Sequence, residues 1–280
     1  MRQQWIVAIG SILLLLVLFF FGRTKPYPKA TAAAETRDTA FSVLSFDIIL
    51  SHAKQKLTVS QQARLTKLEN SITRGDLKNQ KIALYAELAN FWKDSAKIRE
   101  PWLYYNGEKA KLENSEKNLN FAGQSYLEEL KTVSDASEKS WMANQAQGLF
   151  DQVLQINPAN DSAKIGWGST FIFGASGSSS PMEGIMKIRE VAQRDSNNMY
   201  AQFMLGYGGM MTGQFDKAAE RLERVVKNDP TNQEAIFLLG EAYERKGDKA
   251  KAIKWYRLGK KRVTSPDLIK AIEEKITSLQ

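Results

Sequence analysis

Residues 199–230 read MYAQFMLGYGGMMTGQFDKAAERLERVVKNDP, and residues 233–266 read QEAIFLLGEAYERKGDKAKAIKWYRLGKKRVTSP. The second stretch rewrites the first thirty-four residues on: Leu205-Gly206 returns as Leu239-Gly240, Gly213 as Gly247, Ala218 as Ala252 and Leu222 as Tyr256. In the second copy Leu239 and Tyr243 lie four apart, so they share one face of a helix over Gln233–Arg245. Gly240 lets a neighbouring helix approach that face closely. Lys246-Gly247-Asp248 ends the helix, with glycine suited to a left-handed C-terminal cap. A second helix starts at Lys249, setting small Ala252 and large Tyr256 against the first. Gly213-Gln214-Phe215-Asp216 makes the same turn upstream, and Pro230 closes that unit. One such hairpin cannot bury its own apolar face, so the copies must stack.

This pattern resembles the tetratricopeptide repeat: Leu-Gly early, Gly midway, a small residue with an apolar one four later, and a closing Pro. The resemblance extends upstream. Trp167-Gly168 and Phe171 take the Leu-Gly and Tyr places of a third copy. Ile188 and Val191 lead to Leu222 and Val225 by thirty-four residues, but Phe150 and Val153 precede them by thirty-eight. The extra four fall in the run Gly174–Pro181, between two helices. Ala146, Phe150, Val153 and Pro158 mark the second helix of a fourth copy. Gln202 and Ile236 replace the family's Trp, Gly209 a Tyr, and Thr264 the last Pro. The similarity spans 119–266, with clear copies at 161–198, 199–232 and 233–266, and 267–280 reads as a capping helix.

The expected fold class is all-α: a solenoid of helix–turn–helix hairpins behind an N-terminal transmembrane helix. The run WIVAIGSILLLLVLFFFG, residues 5–22, is uncharged. As helix it spans about 27 Å, close to the hydrocarbon core of a bilayer. A cleaved signal peptide, with its shorter apolar core, is the alternative. Residues 1–22 therefore read as an anchor in a plasma or bacterial inner membrane, and 23–40, rich in Pro, Ala and Thr, as a linker. Arg23, Lys25 and Lys29 outnumber Arg2 and the terminal amine, which places the domain on the cytoplasmic side; the short basic tail argues for the periplasmic one. Residues 41–118 read as degenerate hairpins. Within them Phe46, Ile49 and Leu50 form one stripe, Ser60 caps a helix to about Thr73, and Pro101 stands in a first turn.

The 280 residues carry a net charge of +8 with Lys and Glu interspersed, which is a solvated surface before it is a nucleic-acid footprint. With no cysteine and His52 as the one histidine, multi-histidine and thiolate sites are excluded. The Gly-Ser run at 174–180 lacks the Gly-Lys-Ser/Thr of a phosphate loop. Lys260-Lys261-Arg262 reads as a charged helix end. No catalytic, cofactor or metal residue is assigned.

The resemblance implies a groove lined by the first helix of each hairpin. Carried over, it offers Ile165, Ser169 and Ile172, then Tyr200, Phe203, Tyr207 and Met210, then Phe237 and Glu241, with Glu234 and Glu244 beside them. The Lys and Asn with which the family's chaperone-tail binders clamp a carboxylate are not there. An aromatic, Met-rich lining with acids at one end suits an apolar or weakly basic peptide. The competing reading covers these residues with the segment Phe41–Leu57 or with a second copy of the chain. The expected function is a membrane-anchored scaffold that recruits a protein or peptide in assembly or quality control, with homo-oligomerisation as a further partner mode. The alternatives are an enzyme with an unrecognised site and a nucleic-acid factor.

Overall fold

The computed structural model describes residues 44–72, 77–174 and 181–280. The run 5–22, the linker and the inserted turn at 175–180 lie outside the described residues. Among those described there is no strand, and no helix is long and apolar enough to cross a membrane.

Thirteen α-helices follow one another among the described residues. They are α1 Phe46–Gln55, α2 Val59–Ile72, α3 Lys78–Asn90, α4 Arg99–Glu113, α5 Glu116–Leu130, α6 Ala136–Ile156, α7 Asp161–Phe173, α8 Pro181–Arg194, α9 Met199–Met211, α10 Phe215–Asn228, α11 Gln233–Arg245, α12 Lys249–Lys260 and α13 Pro266–Leu279. A π-helical turn, Phe91–Ala96, prolongs α3 and ends at left-handed Lys97, φ 56°. Helix pairs α5–α6, α7–α8, α9–α10 and α11–α12 pack as hairpins, each against the next.

The period is visible in the links. Three residues join α9 to α10 and α11 to α12, whereas 174–180 separate α7 from α8, which places the four-residue insertion between those two helices. Gly213 and Gly247 turn those short links at φ 73° and 82°, a region that disfavours any side chain with a Cβ. Asn160, Asn198 and Asn232 start α7, α9 and α11, each side-chain oxygen accepting from the amide of Ala163, Ala201 or Ala235 at 2.8, 3.0 and 2.9 Å. The α2 cap differs from expectation. Thr58, not Ser60, exchanges bonds with Gln61, the Thr58 amide donating to Gln61 Oε1 at 2.9 Å and the Gln61 amide to Thr58 Oγ1 at 3.3 Å.

The apolar faces merge into three adjoining cores. Ala53, Leu57, Leu65, Leu88, Phe91 and Trp92 make the first. The second gathers Leu119, Tyr126, Leu127, Met142, Leu149 and Phe150. The third runs from Ile165 to Leu279 through the three clear copies and α13.

Candidate functional site

Inside each hairpin the small residues set how closely the helices approach. A Cβ on Gly206 would stand 2.9 Å from Leu222 Cγ, and one on Gly240 2.8 Å from Tyr256 Cε1, so these glycines seat the large residue of the partner helix. Close pairing draws the first helices of successive hairpins into an inner layer.

That layer is closed more tightly than expected. Ile165, Ser169, Ile172 and Phe203 are buried, the last at 8% exposure, and so do not line an open groove. Ser169 Oγ donates to Ile165 O at 2.7 Å within its own helix. The Phe237 ring packs on α12 of its own hairpin, where a Cβ at Gly259 would lie 2.7 Å from Phe237 Cε1. Tyr200 is mostly enclosed; its hydroxyl donates to Gln124 Oε1 of α5 at 3.0 Å, and burial pushes its pKa up to about 12.

The element that closes the face is α5, not the described part, 44–57, of the segment expected there. Phe46 of α1 instead stacks on Tyr104 and lies edge-on to Tyr105, while Leu57 joins the first core. At the end of α5, Lys131 Nζ donates to Glu234 Oε2 of α11 at 3.3 Å and stands 5.7 Å from the Phe173 ring centre. Phe173 meets Tyr207 edge-on at 4.8 Å. The array therefore curls until its fourth hairpin from the C-terminus touches the last one.

What remains accessible is a short strip at the C-terminal end. Tyr207, Met210, Phe237 and Glu241 are half-buried, and Met211 is exposed. Tyr207's hydroxyl has a raised pKa, first through burial and then through Glu234, with Lys131 opposing. Glu234 and Glu241 border the strip; Glu241 pairs with Arg245 at 3.5 Å. Glu244 is committed elsewhere, to Tyr256 at 2.8 Å and Lys275 at 2.6 Å. Phe173 and Lys131 belong to this site and were missed. Phe173 ends its helix just before the insertion, and Lys131 reaches Glu234 over 103 positions, which no local periodicity encodes.

A second hollow, about 200 Å³, lies between α1, α4 and α6, lined by Leu44, Ile49, His52, Ile98, Glu100 and Glu138 among others. Exposed His52 stands at its edge. Arg99 neutralises its acidic wall, bonding Glu100 and Glu138 at 3.0 Å each. Burial and then Glu100 raise the Glu138 pKa. Among the described residues no group of three or more His, Cys, Asp or Glu could hold a metal ion.

These features define a helical-hairpin solenoid with a partly filled inner face. Residues 210–263 match the tetratricopeptide repeat family model, a narrower span than the 119–266 over which the sequence resembles it. No curated protein matches the chain. Among solved structures, MamA is 17% identical over 66% of this chain and 92% of its own, at a TM-score of 0.45. MamA from Desulfovibrio magneticus RS-1, residue 41 to the end, is 20% identical over 67% and 96%, at 0.44. YrrB, a tetratricopeptide protein with an unusual peptide-binding site, is 17% identical over 74% and 97%, at 0.43.

Proposed function

We propose that this chain is a protein-binding scaffold whose strip at Tyr207, Met210, Phe237 and Glu241, together with Phe173, takes an apolar or weakly basic peptide segment. The observation that carries the reading is the half-buried Tyr207–Phe173 pair, open on one side and bordered by Glu234 and Glu241. Aromatic rings that are rigid on one side and solvated on the other are effective interface anchors, and methionines adapt to varied partners. In this reading the burial of Ile165, Ser169, Ile172 and Phe203 makes them the support of the strip rather than contact residues. Binding, not catalysis, is the role proposed.

Residues 5–22 anchor the scaffold in the membrane, with the domain on the cytoplasmic side and the periplasmic side as the alternative. An assembly or quality-control role fits a tethered scaffold, and a second copy of the chain is a candidate occupant of the strip.

The test is photocrosslinking in intact membranes with a benzophenone side chain at Met210 or Met211, and at Arg224 on the outer helix as control. Adducts at the strip that are absent at Arg224 and lost with Tyr207→Ala are expected. Equal labelling at both places would refute the strip. Retention in carbonate-washed membranes checks the anchor; recovery of a soluble form starting near Ala33 would refute it.

A further inference from the structure

The outer face of the last hairpin has a chemistry the inner strip lacks. Between 245 and 262 there are nine cations and a single carboxylate, Asp248, so this stretch carries much of the chain's positive charge. Four of the nine are paired: Arg245 with Glu241, Lys246 with Asp216, Lys251 with Asp248 and Lys260 with Glu273. Lys254, Arg257 and Lys261 have no carboxylate within ion-pair distance among the described residues. They are exposed, and their spacing of three and four sets them on one stripe of α12 and of Lys261 that caps it, opposite buried Ala252, Tyr256 and Gly259. Ala250, Ile253 and Leu258 share the stripe and, with those three cations, line an open hollow of about 350 Å³. The stripe runs some three turns, about 16 Å.

We infer that this face of α12 docks an amphipathic acidic helix of a partner protein. The charge calls for carboxylates, and the relief selects a helix over a lipid surface. A helix that lies on a bilayer inserts protruding apolar side chains. Here Ile253 and Leu258 are half-buried beneath the cations, and no α12 residue is among the exposed large hydrophobics. The hollow receives side chains rather than inserting its own. The stripe is also one helix wide, with Asp248 at its start and Glu273 beside Lys260 at its end, where a broad anionic surface would meet carboxylates. An incoming helix with Leu at i, i+3 and i+7 and Glu on either side matches both floor and rim. The inner strip has no part in this face.

The experiment measures binding of full-length protein in non-ionic detergent to a fluorescent 14-residue helical peptide with that Leu spacing and Glu flanks, beside the same peptide with Gln flanks. The Glu peptide should bind at least tenfold more tightly and weaken steeply with salt. K254E/R257E/K261E, changing only exposed positions, should abolish the preference at an unchanged melting temperature, and Leu258→Asn, which spoils the apolar floor without changing the charge, should weaken both peptides alike. Tyr207→Ala should leave it intact, which separates this face from the inner strip. Equal affinity for the two peptides, or a charge-reversed protein that still prefers Glu, overturns the inference. Vesicles containing phosphatidylglycerol, compared with pure phosphatidylcholine vesicles, form the other arm. If wild type exceeds the charge-reversed protein on the anionic vesicles while neither binds the Glu peptide, the occupant is lipid and the inference fails.

Discussion

Gly206 and Gly148 are both helical glycines, and their surroundings predict opposite responses to a side chain. A Cβ on Gly206 meets Leu222 at 2.9 Å, and Leu222 is fully buried, so Gly206→Val should overpack the hairpin and cost about 1–3 kcal/mol. Gly148 sits inside α6 with nothing within 4 Å of its Cβ position, so Gly148→Ala should add about 1 kcal/mol through helix propensity. Chemical denaturation of both variants checks the pair; a stabilised Gly206→Val would place the helix contact elsewhere. Tyr200 gives a pH signature. Its pKa is pushed from 10.0 up to about 12 by burial, so the folded state holds this proton more tightly than the unfolded chain. The resulting stability is full below pH 10 and is lost as pH rises towards 12. Tyr200→Phe should lessen that alkaline slope, to which Tyr104 and Tyr243 also contribute, read by thermal melts across the range, and should forgo the Gln124 bond at about 1 kcal/mol. The contact of Gly206 with its hairpin partner was legible from the repeat. The burial of Tyr200 was not, because Gln124 comes from a helix outside the clear copies.

At the scale of elements, start and stop signals were legible where a side chain closes its own turn. Gly213 and Gly247 were recognisable as caps, and both take positive φ. The Asn160, Asn198 and Asn232 caps recur with the period, yet they stand in links that apolar spacing passes over. Asn232→Ala should remove the bond to the Ala235 amide and cost about 1 kcal/mol, while Asn232→Ser or Asn232→Asp should cost little, as measured by urea unfolding. A variant series in which Ala and Ser behave alike would deny the cap its role. The π-helical turn at Phe91–Ala96 could not be foreseen. The apolar run there satisfies an α-helical pattern, and the extra residue is inserted where Phe91 and Trp92 both sink into the first core.

At the scale of the whole array, nearest-neighbour stacking was legible, because a fixed period forces each hairpin onto the next, but curvature was not. It accumulates from small rotations between hairpins, and here it brings Lys131 to Glu234 and converts four expected groove residues into core. The same logic makes stability quasi-one-dimensional, so removing an end should have a local effect. The helix α13 is that end. It buries Ile272, Ile276 and Leu279 in the third core and turns Lys270, Glu274 and Thr277 outward. It is tied down by Glu273 to Lys260 at 2.9 Å and by Lys275 to Glu244 at 2.6 Å. Each buried aliphatic side chain contributes about 1.5–3 kcal/mol of transfer free energy, so a chain ending at Val263 loses several kcal/mol from its last hairpin and leaves apolar surface uncovered. Because α12 leans only on α11 and α13 among its strong contacts, the loss should begin there and fade along the array. Hydrogen exchange on the full and shortened chains is expected to show protection falling first in α11 and α12, less in α9 and α10, and not at all in α5 and α6, whose residues pack in the second core. Loss of protection spread evenly from α5 to α12 would mean that the array unfolds as one cooperative body, and would refute the stacked-repeat account of its stability.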